Sequence, residues 1–76
     1  MKLRIRDLRE DADIKQKQIA AYIDCDQSLY SKYERGEREI PLSKIVRLAT
    51  FYNTSLDYLV GLTDIKEPYP KQAKKQ

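Results

Sequence analysis

Gln16-Lys17-Gln18-Ile19-Ala20-Ala21-Tyr22-Ile23-Asp24-Cys25-Asp26-Gln27-Ser28-Leu29-Tyr30-Ser31-Lys32-Tyr33-Glu34-Arg35-Gly36 is the stretch that decides the fold. Ile19, Ala20 and Ile23 fall on one side of a short helix expected over residues 16–23. Leu29, Tyr30 and Tyr33 do the same for a second helix over 27–34. Only Asp24, Cys25 and Asp26 separate them, and so short a connection makes the two helices cross at ~90–120°. A crossing of this kind needs a small residue at the point of contact. Ala20 stands there, with Ile23 and Tyr30 closing the apolar contact behind it. Asp26 suits an N-cap, because its side chain can accept from the free N–H groups of the next turn. Gly36 suits the left-handed position after a helix end.

Working outward, Ile5, Leu8 and Ala12 mark a first helix over residues 2–12. Ile45, Leu48, Ala49 and Tyr52 mark a fourth over 42–52, opened by Pro41, whose missing N–H costs nothing there. Leu56, Leu59 and Val60 form a brief fifth, with Ser55 as its cap, Asp57 in its first turn and Gly61 after its end. No segment alternates apolar and polar residues over strand length. The expected fold class is all-α, a compact five-helix bundle with a helix-turn-helix formed by helices 2 and 3. Residues 1–64 are read as one domain, and 65–76, with Pro68, Pro70 and no apolar period, as a flexible lysine-rich tail.

Composition narrows the chemistry. The chain has 76 residues, no histidine and one cysteine, Cys25, so His-dependent catalysis, zinc sites of the usual type and an internal disulfide are excluded. So short a chain leaves little room for an enzyme pocket of ~300–1,000 Å³. No enzyme activity, cofactor, metal or small-molecule site is expected. No uncharged run approaches the ~20 apolar residues of a membrane span. The start, Met1-Lys2-Leu3-Arg4, lacks the apolar stretch of a secretory signal, so a reducing cytoplasm is expected. Residues 1–65 carry eleven basic and eleven acidic side chains, and the whole net charge of +3 resides beyond them, in Lys66, Lys71, Lys74 and Lys75 against Glu67. Which face the charges occupy therefore matters more than their sum.

Gln16-Lys17-Gln18-Ile19-Ala20, followed by Ser31-Lys32-Tyr33-Glu34-Arg35-Gly36-Glu37-Arg38, resembles the lambda-repressor/Cro helix-turn-helix family, also called the Xre family. Ser55-Leu56-Asp57-Tyr58-Leu59-Val60-Gly61 is similar to the short fifth helix of these domains. The resemblance covers residues 3–61. It implies a bacterial or phage transcriptional regulator, more often a repressor, that binds near-palindromic double-stranded operator DNA as a homodimer through the major groove. By position, Gln27, Ser28 and Lys32 correspond to the base-reading side chains. Gln can pair bidentately with adenine N6/N7 and Lys can donate to guanine O6/N7, each worth about 1–3 kcal/mol of discrimination. Gln16, Lys17, Ser31, Arg35 and Arg38 are carried over as phosphate contacts. Arg9 and Glu34 correspond to a structural ion pair between helices one and three. With no sensor domain expected after Gly61, regulation would come through the dimer equilibrium, a protein antagonist, or removal of the protein.

Bland readings stand beside these. Exposed Gln, Ser and Lys usually form a solvated face, and Tyr30 and Tyr33 lie on the apolar stripe as core. Phe51, Tyr52, Leu56, Tyr58 and Leu59 are either packing residues or a homodimer contact. Cys25 fits simple burial better than a redox role, because Asp24 and Asp26 would raise its pKa. Departures from the family pattern also matter. Asp13 and Asp24 stand where glycine is common, and Lys15 replaces the hydroxyl cap before helix two. Asp24, Asp26, Glu37 and Glu39 lie near the DNA face and would repel phosphate unless turned away. Those acids favour the rival function, a protein-interaction adaptor or antitoxin-like module with weak DNA binding.

Overall fold

The computed structural model describes residues 3–68, and within them the chain forms five α-helices and no strand. They are α1 (Ile5–Asp11), α2 (Gln16–Tyr22), α3 (Gln27–Arg35), α4 (Leu42–Phe51) and α5 (Leu56–Leu59). One core joins them: Leu3, Ile5 and Leu8 from the first segment, Ile19, Ala20 and Ile23, then Tyr30 and Tyr33, Leu48 and Ala49, and Leu59. Ala20 is buried where α2 meets α3. The Cys25 N–H donates 3.0 Å to the Ala20 carbonyl, folding the turn back on α2.

Helix ends follow local chemistry. The Asp26 carboxylate accepts from the Leu29 N–H at 2.7 Å, and the Ser55 hydroxyl accepts from the Tyr58 N–H at 3.0 Å. Lys15 has no acceptor to offer α2, but its own N–H donates 2.9 Å to the Gln18 side chain, half of a capping box. Each helix is followed by a left-handed residue. Gly36 and Gly61 serve α3 and α5, with φ of 76° and 85°. Asp13, Asp24 and Asn53 serve α1, α2 and α4, with φ of 57°, 60° and 54°. Short polar side chains tolerate this region better than most, though not as freely as glycine.

Two expectations need correction. Helix α1 begins at Ile5 rather than near residue 2, because the Arg4 N–H donates 3.0 Å to the Leu59 carbonyl and holds the preceding chain against α5. Ala12, read as part of the α1 stripe, is exposed just beyond the helix end. Beyond α5 the exposed chain touches the bundle through Asp64 and Lys66. Arg4 pairs with Asp64 at 2.7 Å, and the Thr54 hydroxyl donates to the Lys66 carbonyl. Lys71, Lys74 and Lys75 of the expected tail lie outside the described residues.

Candidate nucleic-acid interface

Helix α3 has two unlike faces. Leu29, Tyr30, Tyr33 and Glu34 turn toward the bundle, while Gln27, Ser28, Ser31, Lys32 and Arg35 recur at i, i+1, i+4, i+5 and i+8 along the other side. Gln27 and Ser28, in the first turn, are exposed, and Lys32 is half-buried one turn later. No side-chain hydrogen bond among the described residues ties down these three.

The inward face is locked by charge as well as packing. The Arg9 guanidinium forks onto Glu34, Nε to Oε2 at 2.6 Å and Nη2 to Oε1 at 3.2 Å, and its Nη1 donates 2.9 Å to the Ile14 carbonyl. One side chain thus joins α1, the α1–α2 connection and α3. The Glu34 carboxylate is only 3% exposed. Burial alone would raise its pKa, but the hydrogen bonds from Arg9 and Gln16 outweigh that and hold it below the usual 4.5. Burial, reinforced by the Glu34 carboxylate, pushes the Tyr30 phenol far above its ordinary range.

The phosphate candidates divide into two groups. Lys17 and Arg38 are exposed, and among the described residues no hydrogen bond or ion pair engages their side chains. Gln16 is half-buried, its Nε2 donating 3.0 Å to Glu34 Oε1. Arg35 donates to the Ser31 hydroxyl and forks onto Glu37 at 2.7 and 3.1 Å. That pair is about half exposed on both sides, at 50% and 54%, so competing anions can reach it. Arg6, which sequence reasoning missed, lines a cleft of about 460 Å³ together with Gln16, Ser31, Glu34 and Arg35.

Three of the four acids that threatened phosphate repulsion have partners inside the fold. Asp24 pairs with Arg47 at 2.9 Å, Asp26 caps α3, and Glu37 holds Arg35. Glu39 is exposed. Arg47 and Lys44, both on α4, were also missed, because their contacts reach more than twenty residues back along the chain. The half-buried Cys25 thiol has its pKa raised by burial first and by Asp26 and Asp24 as well, against an opposing effect of Lys44.

The five residues weighed as dimer contacts do not share one surface. Leu59 is 0% exposed and belongs to the core, so it cannot touch a partner. Tyr52 is half-buried, and burial of its hydroxyl pushes its pKa up to about 12. Tyr58 is half-buried beneath the Arg4 guanidinium, 4.4 Å from the ring centre. Leu56 and Phe51 keep 38% and 41% exposure. Leu56 joins Val46, Ala49, Thr50, Asn53, Thr54 and Pro68 around a groove of about 350 Å³.

Helix order, the α2–α3 crossing and the outward polar face of α3 coincide with a match to the Helix-turn-helix family over residues 5–59. The chain belongs to the helix-turn-helix family. It is 40% identical over 72 residues to the Uncharacterized HTH-type transcriptional regulator YobD of Bacillus subtilis (strain 168), covering 95% of this chain and 62% of that protein. It is 30% identical over 64 residues to the HTH-type transcriptional regulator ImmR of the same organism, covering 84% and 50%. With the Cryptic phage CTXphi transcriptional repressor RstR of Vibrio cholerae it shares 35% identity over 58 residues, covering 76% and 52%. The chain thus spans between half and two thirds of each of these relatives' length. No helix among the described residues of this helix-turn-helix domain is long and apolar enough to cross a membrane.

Proposed function

We propose that this helix-turn-helix domain is a sequence-specific DNA-binding transcriptional regulator, a repressor that reads a near-palindromic operator as a homodimer. The observation that carries the reading is the outer face of α3, where no side-chain hydrogen bond among the described residues engages Gln27, Ser28 or Lys32, on a helix whose inner face is locked to α1 and α2. In the major groove, Gln27 and Lys32 supply base-edge hydrogen bonds and Ser28 an adaptable one. Lys17 and Arg38 reach flanking phosphates, Gln16 and Ser31 add polar contacts, and Arg35 trades Glu37 for a phosphate. Two copies place their α3 helices ~34–36 Å apart over successive turns of DNA. Leu56 and Phe51, the exposed members of the aromatic end, are the side chains offered to the second copy. A protein antagonist that competes for this surface would regulate the dimer, and the site of action is the cytoplasm.

Selection from a library of random DNA duplexes tests the reading. Enrichment of a two-fold symmetric sequence, bound with a steep salt dependence, is expected. Absence of any enriched sequence, with a salt slope near zero, would overturn it in favour of the adaptor or antitoxin-like module. The balanced charge of residues 1–65 favours that second reading. The internal partners of Asp24 and Asp26 weaken it.

A further inference from the structure

The α2–α3 turn is held from outside by α4. The Lys44 ammonium donates to the Ile23 carbonyl at 2.5 Å and reaches the Asp24 carbonyl at 3.5 Å. These carbonyls lie at the end of α2, where no further helical N–H can satisfy them. One turn further along α4, Arg47 pairs with the Asp24 carboxylate and lies over the Tyr22 ring, 5.0 Å from its centre. Tyr22 in turn meets Phe51 of α4, with ring centres 4.8 Å apart. The Lys44 and Arg47 attachments both reach a residue in the left-handed conformation, Asp24 at φ 60°. An L-residue other than glycine keeps that conformation at a cost, and only where its surroundings fix it.

This turn aims the reading side chains. Asp26 caps α3, and Gln27 and Ser28 follow it directly. A few degrees of rotation at residues 24–26 would swing both side chains away from their base edges. We infer that Lys44 and Arg47 are positioning residues for DNA reading, fixing the direction of α3 through the carbonyls and carboxylate of the α2–α3 turn without touching DNA themselves. The inference rests on the DNA-reading function proposed above and adds the part of the molecule that sets its accuracy. The backbone hydrogen bond from the Cys25 N–H to the Ala20 carbonyl alone leaves the Ile23 and Asp24 carbonyls to water, so the turn would persist but lose its fixed direction.

The test compares Lys44→Met, Lys44→Arg and Arg47→Gln in the full chain, on the duplex enriched by selection and on a scrambled duplex of equal length. Lys44→Met is expected to lose about tenfold or more in affinity for the enriched duplex, with scrambled-duplex affinity and salt slope unchanged. Lys44→Arg, which keeps a donor within reach of the carbonyls, should recover most of the loss. Equal loss on both duplexes, with the salt slope reduced by about one, would show that Lys44 binds phosphate and would overturn the inference. A lowered melting temperature with an unchanged ratio of the two affinities would overturn it too, since that is stability alone. Should Lys44→Met fail to fold, Arg47→Gln decides: Arg47 and Asp24 are 46% and 76% exposed, so their loss is tolerated, and a reduced affinity ratio is expected. An unchanged ratio there would overturn the inference. Failure of the unaltered protein to enrich any duplex is the separate result that removes the DNA-reading function itself.

Discussion

Glu34 and Arg35 are neighbours in the chain, each forms a two-pronged ion pair, and their side chains leave α3 about 100° apart, one turned into the bundle and the other toward solvent. Glu34 meets Arg9 with side chains 3% and 14% exposed, whereas Arg35 meets Glu37 with both about half exposed. In the first pair the partners have left water, so neither can be removed without stranding a buried charge. In the second, water and salt already compete, so the pair can open for another anion. The same chemistry therefore does two jobs: the inner face fixes α3 in place, and the outer face stays available.

The contrast breaks most sharply at Arg9. Replacing Arg9→Met should cost about 3–5 kcal/mol, a large part of the roughly 4–11 kcal/mol expected for a domain of this size, and thermal unfolding followed by circular dichroism would read it. A loss below about 1 kcal/mol would show the inner pair to be no stronger than a surface one. Next comes acid titration. Because the folded Glu34 carboxyl is held below 4.5, its contribution is complete above that value and is lost as pH falls through its lower folded pKa. Urea unfolding at a series of pH values should show an acid limb that Glu34→Gln, at lower starting stability, removes. On the outer face, Arg35→Ala should leave the melting temperature unchanged and reduce the salt slope of DNA binding by about one. The smallest expected effect is at Asp13, exposed at φ 57°: Asp13→Gly should add about 0.5–1 kcal/mol of stability without altering DNA affinity.

Much of this was legible in the sequence where the signals were local. The spacing of Ile19, Ala20 and Ile23 against Leu29, Tyr30 and Tyr33, with Asp26 between them, depends only on periodicity and capping, and α2 and α3 lie within a residue of the expected ends. Asp13 and Asp24 were marked by standing where glycine is common, and both are left-handed. Asn53 carried no such mark. What escaped was tertiary. The start of α1 is set by a bond from Arg4 to Leu59, fifty-five residues away, and Lys44 is a generic helix lysine until its ammonium meets the Ile23 carbonyl. Leu59 fails as a dimer contact because a four-residue helix has too few positions for periodicity to tell its buried side from its exposed one.

Lys32 offers the most direct test of DNA reading, measured by titrating Lys32→Ala with the selected duplex and with its scrambled counterpart under identical salt. A side chain that reads a base predicts a loss of about 1–3 kcal/mol on the selected duplex, little change on the scrambled one, and an unaltered melting temperature. Equal weakening on both would contradict the account, reducing the outer face of α3 to a site of charge attraction.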